Sequence, residues 1–299
     1  MYGKIIRSLA GFYDVYAGGA LYRCRARGVF RALGVKPLVG DDVEITVTDT
    51  VSDPMEGSVD GLLPRKNKLL RPSACNLDQV MLVFAVTAPA PSINMLDRFL
   101  ISVKETELPV ILTFTKTDLA SGEDLDRLRS IYRESGVTLA FVTSDDPGSY
   151  GEIWEMLKGK TTVFAGPSGV GKSTMINYFC PEAHMETGEI SRKIERGKNT
   201  TRHVELFWAG EDTYIMDTPG FTSLYLEEIT PDTLRDYYPE FEPYEEKCRF
   251  HGCMHESEPG CAVRAAAENG EFSPVRYDTY REILRELKER RPAYPKSRQ

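Results

Sequence analysis

The sequence predicts a multi-domain protein with an N-terminal β-barrel, a central α/β domain and a C-terminal domain that is mainly α. Three observations lead to this prediction. Residues 1–70 alternate apolar and polar side chains between turn signals, and residues 71–225 alternate strand-like with helix-like segments. Residues 226–299 combine a cysteine cluster with one amphipathic helix. At 299 residues, the chain has the length of two or three domains.

The composition is that of an ordinary globular protein, with 41% hydrophobic and 27% charged residues. No apolar stretch reaches the ~18 residues of a membrane span, and the N-terminus lacks an apolar signal core. We therefore expect a cytoplasmic protein with reduced thiols and no membrane contact. The net charge of −8 argues against a surface that is basic throughout, but it permits local basic patches for nucleic acid.

The first segment is predicted to form a five-stranded barrel of the oligonucleotide-binding type. Residues 21–27 and 43–48 alternate as half-buried strands do, and Gly-, Asp- and Pro-containing turns separate such segments at strand-like spacing. One strand face would carry a basic stripe that suits nucleic acid: Arg23, Arg25 and Arg27. A solvated outer face explains this stripe equally well.

The other two domains are predicted from longer patterns. Continuous apolar runs predict strands covered on both faces, and apolar residues at helical spacing predict the helices between them. The predicted strands are 79–86, 109–114, 137–142, 161–165, 203–208 and 213–216, and the helices are 93–105, 122–134, 150–157 and one after 174. In the C-terminal domain, a helix is predicted to start at Thr230-Pro231-Asp232. A terminal helix is predicted over 275–291, with these residues facing inward: Tyr280, Ile283, Leu284 and Leu287.

Residues 166–174 fit the phosphate-binding P-loop pattern G-x-x-x-x-G-K-[ST], with a predicted strand before them and a helix after. Glycines let the backbone point N–H groups at anionic oxygens, and the helix N-terminus adds positive partial charge. Lys172 would reach the β- and γ-phosphates, and Ser173 would ligate Mg²⁺. The flanking strand and helix argue against a chance match. The predicted phosphate-binding residues are Gly166, Pro167, Ser168, Gly169, Val170, Gly171, Lys172, Ser173 and Thr174.

A second motif, Thr115-Lys116-Thr117-Asp118, follows the strand that ends at Phe114. The Asp118 carboxylate can accept two hydrogen bonds from guanine, whereas adenine offers no such donor pair. A lone T-K-x-D is usually just a turn, but beside a P-loop it selects GTP over ATP. Thr143 and Ser144 end the next strand and would close over the base through backbone N–H groups.

The γ-phosphate is predicted to contact two further segments. Asp217-Thr218-Pro219-Gly220 fits the D-x-x-G loop, with Asp217 near Mg²⁺ through water and the Gly220 N–H at the γ-phosphate. Phe221 follows where many GTPases use Gln to orient the attacking water, so another group or a partner must position it. Residues 197–202 suit a mobile switch in which Thr200 or Thr201 contacts Mg²⁺. We assign the ligand to Thr201 and count Thr200 among the catalytic residues.

The order of these motifs is reversed relative to ordinary GTPases, because Asp118 precedes Gly166. A circularly permuted chain can still assemble the same site. The D-x-x-G loop then leads directly into the cysteine-rich segment. Loss of the γ-phosphate is expected to move residues 217–221 and thereby tilt the C-terminal domain.

Residues 248–261 contain three cysteines and two histidines, and three thiolates with one imidazole form a tetrahedral structural Zn²⁺ site. The predicted ligands are Cys248, Cys253, His255 and Cys261. His251 is the rival imidazole, and His255 is preferred because a single residue separates it from Cys253. The segment is too short for a core of its own, so the metal would supply its folding free energy. Cys24, Cys75 and Cys180 are isolated and are predicted to be small buried apolar residues.

With these motifs in this order, the chain resembles the ribosome small subunit-dependent GTPase A family of bacteria. The motifs that carry the resemblance are residues 115–118, 166–174, 197–202, 217–220 and 248–261. The resemblance implies a GTPase that acts in late maturation of the 30S subunit, binds 16S rRNA and is stimulated by the small subunit. It also implies that the barrel and the zinc domain grip the particle. We expect a monomer that binds GTP and GDP with Mg²⁺.

Two residues depart from the family pattern. The family usually has Asn at the position of Thr115, so guanine affinity is expected to be lower. It usually has His at the position of Asn199, a residue thought to position the hydrolytic water. Asn199 can hydrogen-bond a water but cannot take up its proton, so intrinsic turnover should be low.

Hydrolysis by water attack, with Mg²⁺ and the Lys172 ammonium neutralising the developing charge, is the function that we predict. Two alternatives stay open at this point. The first is an rRNA-binding assembly clamp whose binding is gated by nucleotide and whose intrinsic hydrolysis is negligible. The second is an ATPase of unknown substrate. Competition of GTP binding by GDP but not by ATP would exclude it.

Overall fold

A computed structural model describes residues 1–70, 72–87, 90–183, 185, 204–217, 226 and 229–290. Most strands in these ranges join one large sheet, which runs from the N-terminal barrel into the α/β domain. No helix within the described part of the chain is both long and apolar enough to cross a bilayer.

The N-terminal strands close into the predicted five-stranded barrel. They pair in the order β1-β2-β3-β5-β4, and β1 pairs with β4 to complete the circle. Alternate side chains point inward, and Ile5, Val15 and Val59 are fully buried. A short helix, α1 (Gly28–Ala32), follows β3. The strands are β1 (Tyr2–Leu9), β2 (Phe12–Ala17), β3 (Ala20–Ala26), β4 (Asp42–Asp49) and β5 (Met55–Leu62).

The central domain is a doubly wound α/β sheet, as predicted, with strand order β10-β9-β8-β11-β13-β12. The first five of these strands are parallel, and β12 is antiparallel to β13. Two short strands, β6 (Lys68–Leu69) and β7 (Ala74–Cys75), precede them. The strands are β8 (Gln79–Ala85), β9 (Val110–Thr115), β10 (Thr138–Phe141), β11 (Thr161–Ala165), β12 (Glu205–Gly210) and β13 (Thr213–Asp217).

Strand β8 is apolar throughout because helices cover both of its faces. Leu82 and Phe84 pack with Phe99 on one side, whereas Met81 and Val83 pack in a separate cluster on the other side. Ser121 and Asp124 form a capping box at the start of the helix that begins at Gly122. The helices are α2 (Ile93–Lys104), α3 (Gly122–Tyr132), α4 (Pro147–Leu157) and α5 (Lys172–Phe179).

The barrel and the α/β sheet are joined by antiparallel pairing of β1 with β12, in which Arg7 faces Glu205. The two side chains form an ion pair at 3.7 Å. The Tyr16 and Trp208 rings pack beside this junction with centroids 4.7 Å apart. Strand β12 also pairs with β13, so the barrel is connected directly to the strand that carries Asp217.

The C-terminal domain contains α6 (Glu242–Glu245), α7 (Ala262–Glu268) and α8 (Pro274–Glu289), of which α8 is the predicted terminal helix. The predicted inward residues of α8 are buried: Tyr280, Ile283, Leu284 and Leu287. The prediction of a helix start at Thr230 was wrong, because a 3₁₀ helix begins only at Leu234. The hydroxyls of Thr230 and Thr233 accept each other's backbone N–H groups, and the Leu234 N–H donates to the Thr230 carbonyl at 3.1 Å. Residues 230–233 thus form a turn that leads into the 3₁₀ helix.

A buried ionic cluster joins this domain to the α/β domain. Arg276 of α8 donates to Asp97 of α2 at 2.6 Å and also pairs with Glu240. Asp97 further accepts hydrogen bonds from Thr279 at 2.8 Å and from Tyr132 at 3.1 Å. All five residues are buried. Helices α2, α3 and α8 are therefore held together by buried side chains that form ion pairs and hydrogen bonds with one another.

Candidate functional site

The separated motifs meet at one edge of the sheet because parallel strands end on the same side. Ala85 of β8 is in register with Thr115 of β9, and Phe114 is in register with Phe141 of β10. On the other side of β8, Phe164 of β11 is in register with Asp217 of β13. The P-loop, the T-K-x-D loop, the segment after β10 and Asp217 therefore share the carboxyl edge, where nucleotides bind in such sheets.

Two P-loop glycines are required by the backbone. Gly166 has a φ of 137°, and a Cβ at this position would lie 2.1 Å from the Val83 carbonyl oxygen. Gly171 has a φ of 101° and is the N-cap of α5. The loop can therefore lie directly against β8 while α5 begins beneath it. The N-terminus of α5 carries the positive partial charge of a helix dipole.

The ammonium group of Lys172 lies across the loop. Its Nζ donates to the Gly166 carbonyl at 2.8 Å and to the Pro167 carbonyl at 2.7 Å. Ser168, Gly169 and Thr174 are exposed, whereas Ser173 is half-buried and Val170 is buried in the core. The loop thus presents a cation and an exposed backbone segment at the same place, which is what a triphosphate requires.

Thr115 connects the T-K-x-D loop to the P-loop. Its side chain is buried, and its hydroxyl donates to the Val170 carbonyl, with the Phe84 carbonyl 3.3 Å away. The single donor of the Thr115 hydroxyl is therefore used within the protein. It ties the T-K-x-D loop to the Val170 carbonyl of the P-loop.

Asp118 lies at the surface in a short 3₁₀ helix, Thr117–Leu119, which Lys116 starts in a left-handed conformation with a φ of 58°. Thr143 Oγ1 donates to Asp118 Oδ1 at 2.5 Å, so the loop after β10 holds this carboxylate. The Thr143 N–H donates to Ser149 Oγ at 3.2 Å, which was not predicted, and Ser144 is exposed. No sequence pattern pointed to Ser149.

Of the remaining predicted catalytic residues, Asp217 lies in the described part of the chain and the others do not. Asp217 ends β13 and is half-buried. The switch residues Asn199, Thr200 and Thr201 lie outside the described residues, and so do Gly220 and Phe221.

The four predicted metal ligands are adjacent in the C-terminal domain. The ligand atoms of Cys248, Cys253, His255 and Cys261 all lie within 4.8 Å of one another. His255 Nδ1 is 3.7 Å from the Cys248 sulfur and 3.5 Å from the Cys261 sulfur. His251 is exposed, so the choice between the two histidines agrees with the geometry. Three thiols and one imidazole at these separations can hold a tetrahedral metal ion.

Groups around the cluster also suit a metal. His255 Nε2 is 3.3 Å from Glu245 Oε1, a partner that orients the ring and that the sequence did not reveal. The backbone N–H groups of Ala262 and Arg264 donate to the sulfurs of Cys248 and Cys261, each at 3.3 Å. Such donors stabilise thiolates. Burial lowers the pKa of His255, which keeps its imidazole neutral and able to ligate a metal.

Comparison with known proteins decides the family. The model of the RsgA GTPase family matches residues 62–227, more than half of the chain, and the model of the RsgA N-terminal domain matches residues 2–52. The chain belongs to the RsgA GTPase family. It is therefore a GTP hydrolase, and the RsgA family is one of small ribosomal subunit biogenesis GTPases.

Curated relatives of the RsgA family extend this similarity over the full chain. The small ribosomal subunit biogenesis GTPase RsgA of Agathobacter rectalis is 46% identical over 97% of this chain and 99% of that protein. RsgA of Alkaliphilus metalliredigens is 43% identical over 97% of this chain and 98% of that protein.

Two solved structures share the RsgA fold. YloQ, described as a circularly permuted GTPase, superimposes with a TM-score of 0.75 at 37% identity, over 98% of this chain and 96% of that one. YjeQ from Thermotoga maritima gives a TM-score of 0.75 at 32% identity, over 97% of this chain and 99% of that one. The circular permutation that the motif order predicted is thereby confirmed.

Proposed function

We propose that this RsgA-family protein hydrolyses GTP on the small ribosomal subunit during its late maturation in the cytoplasm. Its partners are the 30S particle and 16S rRNA, and it acts as a monomer. The observation that supports this most directly is the link from Thr115 to Val170, which joins the base loop to the P-loop in the permuted order. Relatives of similar length are named for small ribosomal subunit biogenesis.

In the proposed mechanism, Asp118 selects guanine, and the P-loop N–H groups with Lys172 bind the β- and γ-phosphates. Ser173 and Thr201 would hold Mg²⁺, with Asp217 near it. When bound, Mg²⁺ would neutralise charge on the phosphates. The Gly220 N–H would meet the γ-phosphate, and Thr200 is counted among the catalytic residues.

Asn199 orients the attacking water by hydrogen bonding, without accepting its proton near neutral pH. Phe221 offers no hydrogen bond to that water. Stimulation by the 30S particle follows from this design, because the particle has to complete the positioning of the water.

Zn²⁺ is the metal that the three thiolates and the imidazole of the cluster favour, and its role is to stabilise the fold of the C-terminal domain. The residues that would hold it are Cys248, Cys253, His255 and Cys261. Glu245 fixes the orientation of the His255 ring from outside this set.

The barrel contributes a smaller basic surface to rRNA binding than its three arginines suggest. Arg23 pairs with Asp14 at 3.1 Å, and Arg27 pairs with Asp60 at 2.7 Å. Arg25 is exposed and lies over the Phe12 ring, 4.5 Å from its centroid. Arg25 with Phe12 is therefore the part of the basic stripe that we expect to contact RNA.

The test is GTP hydrolysis by the purified protein with and without purified 30S subunits, over a series of salt concentrations. We expect slow intrinsic turnover, strong stimulation by the subunit, and a steep loss of stimulation with salt because phosphate contacts release counterions. Nucleotide-dependent retention on 30S without stimulated turnover would support the alternative, an rRNA-binding clamp. Absence of both would contradict the proposal.

A further inference from the structure

The loop between the first two cysteines of the metal cluster carries an exposed aromatic ring. Phe250 has 45% of its surface exposed, whereas Phe241 and Phe272 of the same domain are buried in its core. The flanking residues Arg249 and His251 are exposed as well. We call residues 247–251 the knuckle surface. The Phe250 ring lies outside this core and is accessible to a binding partner.

The backbone holds the knuckle surface in a fixed position. The Arg249 N–H donates to the Gly260 carbonyl at 3.1 Å, on the far side of the cluster. Gly260 has a φ of 76°, and a Cβ there would lie 3.0 Å from the Arg249 Cβ, so the two segments are in close contact. Cys248 and Cys253 anchor the two ends of the loop in the cluster. Phe250 is therefore presented on a constrained loop, which limits the entropy lost when it binds.

The charges of the knuckle surface favour an anionic partner. Lys247 and Arg249 are both exposed, and the Arg249 guanidinium carbon lies 5.5 Å from the centroid of the Phe250 ring. Glu246 is the carboxylate nearest to them in sequence, whereas the neighbouring Glu245 contacts His255. The Lys247 ammonium lies over the Tyr244 ring, 5.2 Å from its centroid. One guanidinium beside an accessible ring, with a second exposed cation two residues away, matches the combination of phosphates and a flat base in a single nucleic-acid strand.

We propose that the knuckle surface binds single-stranded RNA, with an unpaired base stacked on Phe250 and the adjacent phosphates on Lys247 and Arg249. A base in a duplex is already stacked on both faces, so this site selects loops, bulges or ends. The proposal rests on the proposed function, because it names one contact through which the protein reaches rRNA. It adds the chemical class of that contact and the residue that makes it.

The test measures the binding of a short fluorescein-labelled single-stranded RNA to the full-length, zinc-loaded protein by fluorescence anisotropy. Phe250→Ala should weaken binding roughly fivefold to a hundredfold, the range for loss of one base–aromatic stack. Phe250→Tyr and Phe250→Trp should retain binding because they keep a ring. Phe250→Leu keeps the apolar character without a π face, so it should resemble Phe250→Ala. Equal binding by the Leu variant and the unchanged protein would overturn stacking.

Two matched controls separate this site from general effects. Tyr178→Ala removes another exposed aromatic ring, on α5 of the α/β domain, and should leave RNA binding unchanged. Arg249→Gln should reduce the slope of log affinity against log salt by about 0.7, whereas Arg133→Gln at the end of α3 should not. A duplex of the same sequence should bind more weakly than the single strand. Equal loss in both arginine variants would contradict the proposal.

Measuring 30S-stimulated hydrolysis with the same variants distinguishes a failure of the knuckle proposal from a failure of the proposed function. If stimulation by 30S occurs but Phe250→Ala binds RNA as well as the unchanged protein, the knuckle proposal fails and the proposed function stands. If Phe250→Ala weakens binding to 30S but not to isolated RNA, the loop contacts a protein and the proposal also fails. If the unchanged protein shows neither stimulation nor RNA binding, the proposed function itself fails.

Discussion

Thr115 is the residue at which the base loop and the P-loop touch. Asn, the residue usual in the family, can both donate and accept through its amide, but Thr offers one donor, which is used on the Val170 carbonyl. The lower guanine affinity that the sequence suggested would then arise through the P-loop. A substitution that removes only the hydroxyl tests this directly.

Thr115→Val should lower the free energy of unfolding by about 1–3 kcal/mol, because it leaves the buried Val170 carbonyl without its donor. GTP and GDP affinities should fall together, since the P-loop holds both nucleotides. Urea unfolding and nucleotide titration measure the two effects.

Thr113→Val is the matched control for this substitution, because Thr113 lies on the same strand and its buried hydroxyl has no partner among the described residues. It should be neutral or stabilising. Equal losses in the two variants would show that the Thr115 hydrogen bond has no special role.

At the level of elements, the pattern of side chains predicted most of the architecture. The apolar run of β8 indicated a strand covered on both faces, and the inward residues of α8 are buried as predicted. The pairing of β1 with β12 was not predictable. The two strands belong to different domains, and their pairing depends on how those domains pack together. Glu245 was not predictable either, since it lies ten positions before His255 and no local sequence pattern marks it.

The P-loop and the metal cluster were predictable because their spacing is set by the ligand. Metal ligands have to meet at one point, which fixes the types and the order of residues 248–261. The contacts between Thr143, Ser149 and Asp118 depend instead on the meeting of two separate loops. Such tertiary contacts leave no periodic signal in the sequence.

A half-buried lysine at the end of α2, Lys104, gives the domain junction a defined pH dependence. Lys104 Nζ donates to the Tyr237 carbonyl at 2.9 Å, and burial lowers the pKa of Lys104 from 10.5 to about 8. Between these pH values the unfolded chain binds more protons, so this group makes stability rise with pH, by at most about 1.4 kcal/mol per unit. Below pH 8 its contribution should be constant.

The measurement is the difference in unfolding free energy between the unchanged protein and Lys104→Met at several pH values between 7 and 10. The difference should shift in favour of the unchanged protein as pH rises above about 8. Lys36→Met, which removes an exposed lysine, is the control for the loss of one positive charge. A difference for Lys104→Met that does not change with pH would contradict the lowered pKa.

The metal cluster is expected to stabilise the elements that surround it. Cys261 is the N-cap of α7, and Tyr277 of α8 donates to the His255 carbonyl at 2.7 Å, so the cluster is tied to both helices. Removing the metal with a chelator should lower the free energy of unfolding by about 3 kcal/mol or more, if the ion was present at a hundred times its Kd.

Hydrogen exchange should locate this loss in residues 245–270 and leave the barrel unchanged. The metal content has to be measured before and after chelation. Unchanged protection after verified loss of the ion would show that the cluster does not hold this domain together.

At the scale of the whole molecule, the permuted order places the nucleotide between two possible contact surfaces. Asp217 lies at the end of β13, which neighbours the P-loop strand on one side and the barrel-linked strand β12 on the other. The chain beyond Asp217 continues into the C-terminal domain, which is also attached to α2 through Arg276 and Asp97. We propose that a change at the γ-phosphate is transmitted both to the barrel and to the C-terminal domain.

Hydrogen exchange in residues 222–270 should differ between the GDP-bound protein and the protein bound to a GTP analogue, because movement of the D-x-x-G loop changes the attachment of the C-terminal domain. The interior of the barrel, for example β3, serves as the internal reference and should exchange equally in both states. Identical exchange in residues 222–270 would rule out this coupling.

The central claim is that motifs in reversed order build one guanine nucleotide site around Asp118 and Lys172. Calorimetric titration of GDP, ADP and xanthosine diphosphate into the protein and into Asp118→Asn tests it most directly. We predict binding of GDP and not ADP to the unchanged protein, and roughly 10- to 100-fold weaker GDP binding with a gain for the xanthosine nucleotide in the variant. Asp145→Asn, at a neighbouring exposed carboxylate, should behave like the unchanged protein. Equal affinity for GDP and ADP, or equal GDP binding with and without the Asp118 carboxylate, would contradict the account.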